Sequence, residues 1–132
     1  MAVGLAAATA EALLNALANQ TNYTAPTAIW LQLHTADPGA AGTNAVAGNA
    51  TRVNVTAAFP VAAAGVVSNN VDIVWTAGEV DTSEDYTHYS IWTLVSAGTF
   101  LWSGLITANP VVIGDQFKIL SGDLDLSFNL AA

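Results

Sequence analysis

Few residues in this chain have side chains suited to catalysis or metal binding, and their spacing decides what they could do. Glu79, Asp81, Glu84 and Asp85 form the densest charge feature. Carboxylates this close can ligate calcium through oxygen, although the EF-hand spacing, with its central glycine and terminal glutamate, is absent. The other reading is a solvated loop held extended by like charges. His34 and His88 are the two histidines. Either could act as a base or a metal ligand, but each sits in an alternating stretch with no carboxylate at ligand spacing. A histidine satisfied by cross-strand or inter-subunit hydrogen bonds is the expectation. Cysteine is absent, which excludes disulfides, thiol catalysis and cysteine-bound metals. No G-x-S-x-G, Walker A or G-x-G-x-x-G pattern occurs,. Glycosidase carboxylates meet only in space, and nothing nominates a pair. The sequence therefore names no catalytic, cofactor-binding or metal residue, implies no cofactor, and reads as non-enzymatic.

Trp30, Trp75, Trp92 and Trp102, with Tyr23, Tyr86 and Tyr89, could stack on sugars as in a carbohydrate-binding module. Alternatively they fill a β core or subunit contacts, the role expected of tryptophans in sandwich strands. N-x-[ST] matches at Asn19, Asn22, Asn49 and Asn54 would carry glycans only in a eukaryotic secreted protein.

The elements that must position these residues follow from hydrophobic period and turn chemistry. Residues 5–19 are rich in Ala and Leu without Pro, and Leu13, Leu14 and Leu17 share a stripe, so a short amphipathic helix is predicted. Thr9 could instead cap a shorter helix from Ala10, with Glu11 in its first turn. From residue 27 to 130 the period is two. Ala28–Thr35 sets Ile29, Leu31 and Leu33 against Trp30, Gln32 and His34, and stops at the Asp37-Pro38-Gly39 turn. Residues 36–51 make the longest irregular loop. Further strands are predicted at 52–59, 71–75, 86–95, 99–106, 110–113, 116–120 and 124–130, with 78–85 an acidic loop and a hairpin turn at Ser96-Ala97-Gly98. This spacing points to a mainly β chain: one domain over 1–132, an antiparallel sandwich or a barrel-like variant of it, with one N-terminal helix.

Composition bounds the function. The chain has 132 residues, 53% hydrophobic and 9% charged, with a formal net charge of −8; an ordinary soluble domain is roughly 25% charged. Surfaces so poor in Lys and Glu suit a protein packed against neighbours. Arg52 and Lys118 are the two cations against ten acids. Two scattered cations cannot replace counterions on phosphates, so nucleic acid is excluded as a partner, and anionic membranes are disfavoured for the same reason. Met1–Ala18 has no Lys or Arg before its apolar run and is interrupted by Glu11. It reads as mature fold, not as a secretory signal or a bilayer span.

The run Leu33-His34-Thr35-Ala36-Asp37-Pro38-Gly39-Ala40-Ala41-Gly42-Thr43-Asn44 resembles one typical of small bacteriophage virion structural proteins, variously labelled tail fibre, minor tail or head-decoration proteins. The resemblance continues through Tyr23-Thr24-Ala25-Pro26-Thr27, Thr87-His88-Tyr89-Ser90-Ile91-Trp92, Phe100-Leu101-Trp102-Ser103-Gly104 and Gly114-Asp115-Gln116-Phe117. Ser90 stands where that family usually has Gly, and the acidic stretch 79–85 where a shorter segment is common. The resemblance implies a virion component, assembled in the host bacterial cytoplasm, without catalysis. Size and charge together favour a capsid decoration (cement) protein outside the head, a homo-oligomer (a trimer) that binds the major capsid protein. A minor tail or tail-fibre protein at the tail tip and a sugar-binding host-attachment module are the alternatives. The helix and the loop 36–51 are the expected assembly contacts.

Overall fold

A computed structural model describes residues 3–49, 51–128 and 130–131. The elements run α1 (Ala7–Ala18), β1 (Trp30–His34), β2 (Val53–Asn54), β3 (Val66–Ser68), β4 (Ile73–Trp75), a single 3-10 turn (Ala77–Glu79), β5 (Glu84–Trp92), β6 (Phe100–Val111), β7 (Phe117–Ile119) and β8 (Asp125–Ser127). β1, β2, β5 and β6 form a four-stranded antiparallel sheet in the order β2-β1-β5-β6, while β3 pairs with β8 and β4 with β7 as two-stranded ribbons. The mainly β architecture with one N-terminal helix is as the hydrophobic period predicts. It does not close into a barrel, because the large sheet ends on β2 and β6.

The core lies where the large sheet meets the ribbons. Leu31 and Leu33 of β1 and Tyr89 and Ile91 of β5 share one buried cluster with Ile73 and Trp75 of β4 and Phe117 and Ile119 of β7. Tyr86 meets Phe117 edge-on at 5.0 Å, and Trp75 lies tilted against the same ring at 5.5 Å. Burying an aliphatic or aromatic side chain of this size stabilises by roughly 1.5–3 kcal/mol, so this seam is the main source of stability. Asn69 pins the ribbons from inside. Its amide nitrogen donates to the carbonyls of Val71 (2.8 Å) and Leu120 (2.9 Å), and its side-chain oxygen accepts from the Leu124 amide at 2.9 Å.

Several boundaries differ from the sequence reading, each for a local reason. β5 begins at Glu84, inside the stretch read as an acidic loop, and ends at Trp92 instead of Val95. The connection that follows, residues 93–99, has Ala97 at φ 53° and Gly98 at φ 80°, a left-handed pair that turns the chain back toward β6. β6 runs on to Val111 through Pro110, so Pro110–Ile113 is no separate strand. Proline is tolerated there because β6 is the outer strand of the sheet, where a missing N–H breaks no ladder. Gly104 lies opposite Tyr89 in the register. A Cβ there would clash with the hydroxyl edge of the Tyr89 ring, so the ring lies across the neighbouring strand where residue 104 has no side chain.

The chain's start covers part of that outer edge. The Ser103 amide donates to the Gly4 carbonyl at 2.8 Å and the Ala6 amide to Leu101 at 2.9 Å. α1 leaves directly from this pairing and lies against β6. Its N-cap is Ala6, without a side-chain cap, so Thr9 does not begin a shorter helix.

Candidate functional site

Most of the residues singled out for chemistry are engaged in holding the fold, while Asp85 is exposed. Glu79 forms a capping box with Thr76, its carboxylate accepting from the Thr76 amide at 2.7 Å and the hydroxyl at 3.1 Å. Asp81 accepts from the Thr82 hydroxyl at 3.1 Å. Glu84 reaches the loop 36–51, accepting from the amides of Gly48 (3.0 Å) and Asn49 (3.4 Å). The four acids therefore do not form one extended solvated loop. Nor do they converge: among the described residues no three His, Asp or Glu side chains stand close enough to hold a metal ion.

His34 and His88 face one another across β1 and β5. His34 is fully buried. Its Nδ1 lies 2.8 Å from the Asn44 carbonyl oxygen and its Nε2 2.7 Å from Ser90 Oγ, while Trp92 Nε1 donates to the same Ser90 oxygen at 2.7 Å. An indole N–H only donates and a carbonyl only accepts. With neutral imidazole the bonds run in one direction: Trp92 to Ser90, Ser90 to Nε2, and Nδ1–H to Asn44. Burial lowers the His34 pKa and so favours that neutral form, against the Asn44 hydrogen bond that raises it. The expected cross-strand satisfaction of His34 is what the structure has.

This network lies on the face of β1 turned from the core, so that strand is buried on both sides where alternation predicted one. Gln32 is buried beside His34. The loop 36–51 closes over that face. Thr35 and Ala45 share a backbone hydrogen bond of 3.0 Å, and so do Ala47 and Leu33, while Asp37 accepts from the Gly39 amide at 2.7 Å. Arg52 completes the layer. It donates to Gln32 (3.2 Å) and to the carbonyls of Leu94 (2.8 Å) and Ala97 (2.7 Å), and lies 4.2 Å above the Trp92 ring. The other cation, Lys118, sits 3.8 Å from Asp72. Both cations are thus engaged within the protomer.

The aromatic rings also turn inward. Trp75, Trp92, Tyr86 and Tyr89 are buried, and Trp30 and Trp102 half-buried; Tyr23 alone of the seven is exposed. Burial pushes the Tyr89 hydroxyl well above the ordinary tyrosine range. No row of open rings offers a sugar platform among the described residues. Of the four N-x-[ST] asparagines, Asn49 is buried and the other three are exposed.

Part of what remains open is apolar, and the helix contributes to it. Leu14 is 62% and Leu17 81% exposed, whereas the buried positions are Ala6 and Thr9. The N-terminal pairing brings α1 so close to β6 that small side chains fit beneath it, and two of the three stripe leucines face outward. Beside the helix runs a groove of about 310 Å³, lined by Leu5, Thr9, Tyr23, Ile29, Leu101 and Trp102 among others. Sequence periodicity located the helix but not its orientation. The signal that could have found it is the run of small residues at Ala6, Thr9 and Ala10, the side that permits close approach.

Among the described residues no helix is long and apolar enough to cross a membrane. No curated protein matches this chain. A family model described as podophage GP4 fiber I protein gp80 matches residues 4–127.

Proposed function

The chain belongs to the podophage GP4 fiber I protein gp80 family, a family of virion structural components, and from that premise we propose that it is a non-enzymatic, homo-oligomeric subunit of a phage fibre. The carrying observation is the apolar surface of a weakly charged chain: Leu14 and Leu17 stand in water on a protein only 9% charged. Val61, Leu105, Ile113 and Leu130 are likewise mostly exposed, and so many open apolar side chains on so weakly charged a surface favour a chain covered by other protein. The absence of catalysis is part of the proposal, supported by the structural work that Glu79, Glu84 and His34 perform.

The family's fibre label supports the tail-fibre reading over the head decoration that size and charge favoured. The partners in this reading are further copies of the chain, as a trimer, and other tail proteins. With Arg52 bound within the protomer and Lys118 paired with Asp72 at the surface, the outer surface is net anionic and unsuited to packaged DNA. Immunogold labelling of purified particles with an antibody to this chain tests the location. Gold on the fibres, with a handful of copies per particle by quantitative mass spectrometry, is the expected result. Gold spread over the head shell, with hundreds of copies, would return the protein to the decoration class.

A further inference from the structure

We propose that the tip of the loop 36–51, residues 43–46, is an acid-sensitive latch: protonation of His34 releases it from β1 while the rest of the loop stays in place.

Three features of the fold carry this inference. The first is how lightly the tip is held. Thr43, Asn44, Ala45 and Val46 are exposed, between buried Gly42 and Ala47. Ala47 belongs to the core, and its amide donates to the Leu33 carbonyl at 3.0 Å. Beyond it Glu84 holds the amides of Gly48 and Asn49. The tip itself meets β1 where the Thr35 amide donates to the Ala45 carbonyl at 3.0 Å and where His34 Nδ1 lies 2.8 Å from the Asn44 carbonyl oxygen. Lifting it exchanges a few hydrogen bonds for bonds to water and uncovers little apolar surface, the conditions for local opening.

The second feature is that the layer has no place for another proton. While the ring is neutral, Nε2 accepts from the Ser90 hydroxyl at 2.7 Å. A second ring proton sets an N–H against that oxygen, which already accepts from Trp92 Nε1 at 2.7 Å. The Ser90 hydrogen must then turn away, and Ser90 is fully buried, where a donor left without an acceptor carries its whole desolvation cost.

The third feature is charge. The charges acting on His34 are those of His88, its partner across β5, and Arg52, both cationic when protonated. Arg52 is fixed in this layer by Gln32 and by the carbonyls of Leu94 and Ala97. Asp37 turns its carboxylate to the Gly39 amide at 2.7 Å and Glu84 to the far end of the loop, and neither is among the charges acting on the ring. A buried charge without a counter-ion is relieved by reaching water. In the closed form the ring's pKa lies below its ordinary value, chiefly through burial and against the Asn44 bond. Released, it returns to about 6.5. The open form thus binds more protons, and acid favours it.

The test is amide hydrogen exchange of the full chain across pH, corrected for the intrinsic exchange rate. The Thr35 amide is bonded to the tip, so its protection reads the latch. From about pH 7 to pH 5.5 its opening should rise by up to about eightfold, the limit for a ring that takes no proton while closed. Ala47, and Gln32 on the β1–β5 ladder, should keep their protection. In His34→Gln the Thr35 amide should show no such rise, whatever its absolute rate. Wild-type protection at Thr35 that ignores pH would overturn the proposal. Equal losses at Thr35, Ala47 and Gln32 would also overturn it, because the whole sheet would then be opening. If His34→Gln fails to fold, the imidazole of the wild type decides through its ¹⁵N spectrum at about pH 6. A neutral ring with its proton on Nδ1 is expected while Thr35 is protected; a charged ring beneath a protected Thr35 would overturn the latch.

Discussion

The loop 36–51 and the helix α1 invited the same expectation from sequence, and the structure treats them oppositely. The loop is rich in Gly, Ala and Thr, lacks regular structure and looks free to meet a partner. It is fastened instead to its own sheet by His34, Glu84 and the β1 backbone. The helix has the apolar residues of an element made to be buried, yet it turns alanine and threonine inward and leaves Leu14 and Leu17 in water. Hydrogen-bonding capacity explains the contrast. An irregular segment has unpaired backbone groups and is costly to leave half-satisfied, so it must find donors and acceptors nearby. A helix satisfies its own backbone and can point an apolar ridge anywhere.

The comparison breaks first at the strand beneath the loop. Leu33 is fully buried in the core, and its carbonyl accepts from Ala47 of the loop. Leu33→Ala should cost about 3 kcal/mol through lost burial and the cavity left behind, read as a lower urea midpoint at unchanged slope. A loss under about 1 kcal/mol would mean that β1 is not the structural spine described. The next effect is at His34. His34→Ala leaves Ser90 and the Asn44 carbonyl without their partner and should cost about 2 kcal/mol, with faster proteolytic cutting within 36–51. The same histidine gives a pH dependence. Its folded pKa lies below the ordinary 6.5, chiefly through burial, with the charges of His88 and Arg52 adding to the lowering. The folded state thus binds fewer protons than the unfolded chain. Stability is complete above the unfolded pKa and falls as pH drops toward the folded one. Between about pH 7 and pH 5.5 the wild type should lose stability that His34→Gln does not lose. Equal slopes for the two proteins would exclude His34 as the source.

These residues also show what could be read in advance. The alternation of Leu31 and Leu33 announced β1 and its core face, and Ala97-Gly98 announced the hairpin, because both signals are local. The burial of Gln32 and His34 was not legible, since it depends on a loop returning from ten residues downstream to cover a face that alternation marks as polar. Glu84 and Asp85 looked like loop because charge was the strongest local feature; pairing with Pro110 and Val111 across the hairpin decides otherwise. In α1 the residues that set the orientation were the small ones, which hydrophobic period discounts. An assembly contact on the helix is an expectation drawn from the composition as a whole, and the structure leaves Leu14 and Leu17 of that helix open to water.

A smaller effect separates the loop's fastening from the sheet's packing. Glu84→Gln keeps one acceptor for the amides of Gly48 and Asn49 but removes the charge that strengthens both bonds. It should cost about 1 kcal/mol and speed hydrogen exchange at Gly48 and Asn49, with the rest of β5 unaffected. Exchange that rises equally along β1 and β5 would show that loop and sheet open as one unit, and the loop would then be part of the core instead of a cover on it.

The smallest expected change in protomer stability is at the helix, and its smallness is informative. Leu17→Ala removes the same atoms as Leu33→Ala, from a position 81% exposed. Little burial is lost, and alanine favours helix at least as well as leucine. Unfolding measured at high dilution should therefore shift by no more than about 0.5 kcal/mol. If the chain associates through this face as proposed, the same substitution should lower the midpoint more clearly at tens of micromolar, because association would stabilise the folded state by mass action. One leucine thus gives two readings that diverge with concentration, whereas Leu33→Ala gives the same loss at every concentration. If the Leu17 shift were large at high dilution, the helix would be packing its leucines within the protomer, and the contrast with the loop would disappear.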